Sequence, residues 1–107
     1  MLLTGLKAKI HRAVLTSAEL HYEGSIAIDK NLCKAANILE YEQVDNYNCT
    51  NGVRFTTYVI YSDKPDEVSV KGAAARLVQA GDVVIIAAYA QFTPEELATW
   101  KPTVVLR

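Results

Sequence analysis

The residues best placed to do chemistry lie in His21-Tyr22-Glu23-Gly24-Ser25-Ile26-Ala27-Ile28-Asp29, centred on the peptide bond between Gly24 and Ser25. A glycine has no Cβ, so it tolerates the backbone geometry that brings a following hydroxyl onto its carbonyl carbon. The bond is therefore a candidate self-cleavage site. Gly-Ser is also an ordinary turn dipeptide, and alone it would be read as one. A hydrolase using Ser25 with His21 or His11 as base is a further reading. It is weakened because the sequence places no carboxylate to orient either histidine and lacks Gly-x-Ser-x-Gly.

The elements that must hold this bond follow from periodicity. Leu6, Ala8 and Ile10 alternate with Lys7, Lys9 and His11, which predicts a strand with one basic face. Thr16 and Glu19 have capping-box spacing and predict a short helical turn. Leu20 to Asp29 reads as a strand interrupted at Gly24. Leu32, Ala35, Ala36 and Leu39 give an amphipathic helix over 30–39. Gln43 to Tyr61 reads as a hairpin turning at Asn51-Gly52, with Arg54, Thr56 and Tyr58 on one face and Phe55 and Thr57 on the other. A turn at 63–66, a brief strand over 67–70 and a helical stretch starting near Gly72 follow. Val83 to Tyr89 is a continuous apolar run suited to a strand buried on both faces. Thr93-Pro94 opens a short helix, and Thr103 to Leu106 forms a last strand. Six or seven short strands with small helices, and no regular βαβ alternation, predict a mainly β chain forming a compact β-barrel.

Composition narrows the function classes. With 107 residues, 50% of them hydrophobic, and no linker or repeat, residues 1–107 read as a single domain. A net charge of -1 argues against nucleic acid as partner, because phosphate binding needs a basic excess. Met1 to Lys7 is too short an apolar run for a secretory signal, and nothing approaches the roughly 18 apolar residues of a membrane span, so a cytoplasmic protein with no membrane partner is expected. Cys33 and Cys49 form no Cys-x-x-Cys pair and are expected as buried or half-buried thiols, with no metal site.

In combination these residues resemble the pyruvoyl-dependent aspartate 1-decarboxylase family. The likeness is carried by Lys9-Ile10-His11-Arg12, His21-Tyr22-Glu23-Gly24-Ser25, Ala27-Ile28-Asp29, Thr50-Asn51-Gly52, Arg54-Phe55, Thr57-Tyr58, Gly72-Ala73-Ala74-Ala75 and Gly81-Asp82, and so spans most of the chain. It implies a double-psi β-barrel, a homotetramer with sites near subunit interfaces, and autocatalytic cleavage of a zymogen into a β chain, 1–24, and an α chain, 25–107. It further implies a lyase that converts L-aspartate to β-alanine and CO2 for pantothenate synthesis. The cofactor would be a pyruvoyl group derived from Ser25, which forms a Schiff base with the substrate and takes the place of pyridoxal phosphate.

The same resemblance assigns roles. Ser25 and Tyr58 are catalytic, Tyr58 because a phenol can donate a proton at neutral pH. Lys9, Arg54, Thr57, Gly72, Ala73 and Ala74 bind substrate, with Thr57 also assisting cleavage and the small residues exposing backbone N–H groups to a carboxylate. Arg54 is assigned to the retained carboxylate because its planar fork binds bidentately; at about 4 Å and an effective dielectric near 20 such a pair is worth on the order of 4 kcal/mol before desolvation. Tyr22 and His11 are supporting residues, as readily packing as chemistry. Lys71 stands where the family usually has asparagine. The competing reading is a non-enzymatic β-barrel that binds a ligand or partner, with Gly24-Ser25 a mere turn.

Overall fold

The computed structural model describes residues 1–20 and 24–107, so the expectations placed on His21 and Tyr22 lie outside the described residues. Among the described residues eight strands form one sheet: β1 (Leu3–Val14), β2 (Ser17–Glu19), β3 (Ser25–Asp29), β4 (Gln43–Asn48), β5 (Arg54–Ser62), β6 (Val68–Lys71), β7 (Val83–Phe92) and β8 (Thr103–Leu106). Two short helices, α1 (Lys30–Ala35) and α2 (Pro94–Thr99), and a 3-10 helix, Gly72–Leu77, fill the connections. The strand order is β2-β6-β3-β5-β4-β7-β1-β8.

The sheet curls because β1 and β2 are nearly one ribbon whose two parts pair at opposite ends of that order. β1 pairs antiparallel with β7, while β2 pairs parallel with β6. Leu15 and Thr16 make the crossing: the Leu15 amide donates to Asp82 O at 2.9 Å, and the Thr16 amide donates to Val68 O at 2.8 Å. The result is the small, mainly β barrel expected from the strand pattern, with β8 lying parallel along β1 outside the ring. Ile10, Ile26, Ile28, Val44, Val59, Val70, Val84 and Ile86 are buried inside it. Alternation explains the choice of face, since these residues recur at every second position of their strands.

Three local expectations are revised. Thr16 to Glu19 is not a helical turn: the Thr16 hydroxyl donates to Val68 O at 3.1 Å and contacts Ser69 Oγ at 3.2 Å, so cross-strand bonds take the place of a cap. The helix expected over 30–39 ends at Ala35, followed by Asn37 with φ 60, and Ile38 turns into the core instead. Cys33 is buried, which pushes its thiol up to about 12, but Cys49 is exposed at the end of the β4–β5 hairpin. The Thr93 capping box and Pro94 open α2 as expected.

Asp29 fixes the end of β3. One carboxylate oxygen accepts from the Asn31 amide at 2.9 Å and caps α1, and the other accepts from the Asp66 amide at 2.8 Å, tying β3 to the loop before β6. The Asp66 and Asn31 amides hold this carboxyl below its ordinary value of 3.8. A depressed carboxylate contributes stability that is present above its unfolded value and is lost as pH falls through its folded one. Asp29→Ala should therefore melt below the parent at pH 7, with the gap closing as pH is lowered beneath 3.8. A gap that stays constant from pH 7 to pH 3 in thermal melts would contradict this.

Candidate functional site

Ser25 is the first residue of β3 and is only 6% exposed, whereas Gly24 just before it is exposed. A Cβ added to Gly24 would meet nothing within 4 Å, so packing does not demand the glycine. Two neighbours flank Ser25. On one side the antiparallel β3–β6 ladder sets Ser25 opposite Lys71, whose ammonium lies 3.2 Å from Glu19 Oε2. On the other side the parallel β3–β5 ladder pairs Ile26 with Val59, so one step back Ser25 stands level with Tyr58. A further step sets Thr57 level with Gly24. Tyr58 shares the face of Ser25 by alternation, and Thr57 takes the opposite one beside its partner, the buried Val44.

The chain leaves Lys71 directly into the 3-10 helix, so Gly72, Ala73 and Ala74 follow the strand neighbour of Ser25 without a loop. Gly72 has φ 79, a left-handed conformation that costs a glycine little. Ser25 and Tyr58 thus share one face, Thr57 lies level with Gly24 on the other, and Gly72 to Ala74 continue the strand that runs opposite Ser25.

Lys9 and Arg54 lie elsewhere on the sheet, on β1 and β5. Lys9 is level with Ala87 on β7, Ala87 with Asp45 on β4, and Asp45 with Thr56 on β5, so these residues share one rung of the outer face. Arg54 stands opposite Tyr47, its guanidinium carbon 4.4 Å from the ring centroid. Tyr47, Arg54, Phe55, Thr56 and Asp45 line a cleft of about 190 Å³. Among the described residues neither Lys9 nor Arg54 has an ion-pair partner. His11 is two residues beyond Lys9; its Nδ1 is buried with no hydrogen-bond partner among the described residues, so no carboxylate orients it as a hydrolase would require.

Within one copy both cations stand apart from Ser25, Lys9 across the sheet and Arg54 down the neighbouring strand. From β3 to β1 the path through β5, β4 and β7 is four strand steps, about 19 Å at ~4.8 Å each, and Arg54 precedes Tyr58 by four residues, about 13 Å along the strand.

The sequence reading did not single out Asp45, Tyr47 and Tyr89. The Tyr47 hydroxyl is 2.7 Å from that of Tyr89 and donates to Asp45 Oδ2 at 3.3 Å, while Thr56 Oγ1 donates to Asp45 Oδ1 at 2.8 Å. Their signal was hidden by the hairpin register. A two-residue turn at Asn51-Gly52 would set Tyr47 opposite Thr56, but the buried Asn48 side chain accepts from the Thr50 and Asn51 amides and widens the connection, so Tyr47 meets Arg54.

Comparison with known proteins bears on the whole chain. The family model for aspartate decarboxylase matches residues 1–107. Aspartate 1-decarboxylase of Caulobacter vibrioides is 58% identical over 107 residues, covering 99% of this chain and 91% of that protein. The enzyme of the same name from Helicobacter hepaticus is 54% identical over 100 residues, covering 94% and 83%.

Burial, then the hydrogen bond to Tyr89, raises the Tyr47 phenol well above its ordinary value of 10.0. In an alkaline titration followed by tyrosinate absorbance, Tyr47→Phe should remove a component that ionises above 10.0. Loss of a component in the ordinary phenol range would contradict the hydroxyl pair.

Proposed function

This chain belongs to the aspartate decarboxylase family, and from that premise we propose that it makes its own pyruvoyl group from Ser25 and uses it to convert L-aspartate to β-alanine and CO2. The reaction makes it a carboxy-lyase of pantothenate synthesis. One observation carries the assignment of residues: a buried serine after an exposed glycine, level in the ladder with a tyrosine on the same face. A non-enzymatic barrel has no need of that arrangement.

Ser25 suits the group it would become. Its hydroxyl adds to the Gly24 carbonyl, the Gly24–Ser25 amide C–N bond breaks, and the nitrogen takes the hydroxyl proton, leaving an ester. Elimination takes the Ser25 Cα proton, breaks the Oγ–Cβ bond and frees the Gly24 carboxylate; the enamine left behind shifts a proton to its methylene carbon to become an imine, and water then replaces the nitrogen, which departs as ammonia. The products are the chains 1–24 and 25–107. Thr57, level with Gly24, assists at the carbonyl. Because the position is nearly buried, a ketone formed there lies out of bulk water. The pyruvoyl group supplies an electrophile for the substrate amine and a sink for the electron pair released with CO2.

The remaining work falls to side chains and backbone around Ser25 and to the two cations. Tyr58 holds a proton on its hydroxyl beside the carbon that loses CO2 and delivers it there. The N–H groups of Gly72, Ala73 and Ala74 receive one carboxylate. Arg54 and Lys9 bind the other, the one that β-alanine keeps, so that the grip falls on a group unchanged in the reaction. Since Lys9 lies four strand steps along the sheet from Ser25 and Arg54 lies four residues, about 13 Å, down the neighbouring strand from Tyr58, we read the complete site as built from two copies, with the cations of one subunit facing the Ser25 cluster of the next in a homotetramer. Among the described residues no helix is long and apolar enough to cross a membrane; we place the enzyme in the cytoplasm, where its substrate is.

Incubation of the purified chain should yield two fragments on a denaturing gel and β-alanine from aspartate. Ser25→Ala should stay whole and inactive. Tyr58→Phe should still form the pyruvoyl group, with kcat reduced on the order of a hundredfold or more. Full activity in Ser25→Ala would overturn the proposal, and unchanged kcat in Tyr58→Phe would remove Tyr58 as proton donor.

A further inference from the structure

Arg54 stands beside a carboxylate that it does not bind. On the outer face of the β4–β5 hairpin, Tyr47 is opposite Arg54 and Asp45 is opposite Thr56, which makes Asp45 the diagonal neighbour of Arg54. Long side chains reach across such diagonals. An Asp–Arg pair would be the ordinary outcome, yet the ion pairs among the described residues are Lys7–Glu42, Lys30–Asp63, Lys71–Glu19 and Arg107–Asp66.

Neutral hydroxyls occupy Asp45 instead. Thr56 Oγ1 donates to Oδ1 at 2.8 Å and the Tyr47 hydroxyl donates to Oδ2 at 3.3 Å. The same Tyr47 hydroxyl is 2.7 Å from Tyr89 on the neighbouring strand, so its ring is held at the far end by two strands. The ring in turn supports the Arg54 guanidinium at 4.4 Å from its centroid. A stacked guanidinium keeps its edge of N–H donors free for a planar acceptor.

We propose that Asp45, Thr56, Tyr47 and Tyr89 form a positioning device that keeps Arg54 uncommitted and presented to the carboxylate of aspartate. This rests on the reading of Arg54 as a substrate-binding residue. The hydroxyls of Thr56 and Tyr47 are the working part: they satisfy an acid that would otherwise compete with the substrate for the same cation. The competition is unequal, because a tethered carboxylate acts at an effective concentration of millimolar or more whatever the substrate level. Tyr47 has a second duty, as the shelf that fixes the plane of the guanidinium.

The experiment is steady-state kinetics on the processed enzyme with aspartate, together with competitive inhibition by succinate, which carries both carboxylates but no amine. Thr56→Val and Tyr47→Leu should each raise KM and the succinate inhibition constant by roughly three- to tenfold, the span of a partly exposed cation–π or charge contact, with kcat nearly kept. Adding Asp45→Asn to Thr56→Val should return both constants to the parent's range, a rescue that a general loosening of the hairpin would not give. Tyr47→Phe keeps the shelf and removes one hydroxyl, so it should fall between the parent and Tyr47→Leu. Arg54→Ala separates the two layers of the reading. If it raises KM while Thr56→Val and Tyr47→Leu do not, the positioning device is overturned; if Arg54→Ala leaves KM unchanged, the substrate role of Arg54 itself fails and the device falls with it.

Discussion

Everything proposed for this molecule depends on the register of β3 between β5 and β6. Ile26 and Ile28 are fully buried, and each contributes about 1.5–3 kcal/mol by leaving water. Sliding β3 by one residue would carry both to the opposite face, so the hydrophobic core holds the strand in place. Asp29 locks the far end through the Asn31 and Asp66 amides. With those contacts made, Ser25 has no choice of neighbours: Lys71 lies opposite and Tyr58 level on the other side. The position of Ser25 is thus set by residues outside the chemistry proposed for it.

Within one copy the barrel keeps the proposed substrate-binding cations away from Ser25. Ser25 is nearly buried and, apart from the Lys71–Glu19 pair, has hydroxyls and backbone around it, while half-buried Lys9 lies four strand steps along the sheet and exposed Arg54 lies farther down the neighbouring strand. Such a division suits a decarboxylase. A cation held permanently against the departing carboxylate would stabilise the ground state, whereas one that grips the retained carboxylate anchors the substrate without opposing loss of CO2. On the two-copy site proposed above, association between copies would have a chemical purpose beyond added burial.

Much of the fold was legible because it rests on local pattern. The alternation around Ala8 and Ile10, the apolar run from Val83 and the Thr93-Pro94 start each correspond to an observed element. Thr16 to Glu19 misled because a hydroxyl three residues before a glutamate is a local signal, and the bonds that won, to Val68 and Ser69, come from residues about fifty positions away. The site residues came chiefly from family resemblance. Tyr47 and Asp45 escaped notice because a side chain, Asn48, widened the hairpin connection and shifted which residues face each other. Periodicity places a residue on a face, but its partner across the strands depends on such tertiary detail.

The central claim is that Ser25 becomes the amino-terminal pyruvoyl group of a chain running from 25 to 107. Its most direct test is the intact mass of that fragment after processing. The account predicts a mass lower by one ammonia than that of the same fragment beginning with serine, alongside an unmodified 1–24 peptide. An undivided chain, or a fragment that starts with an intact serine and still makes β-alanine, would contradict it.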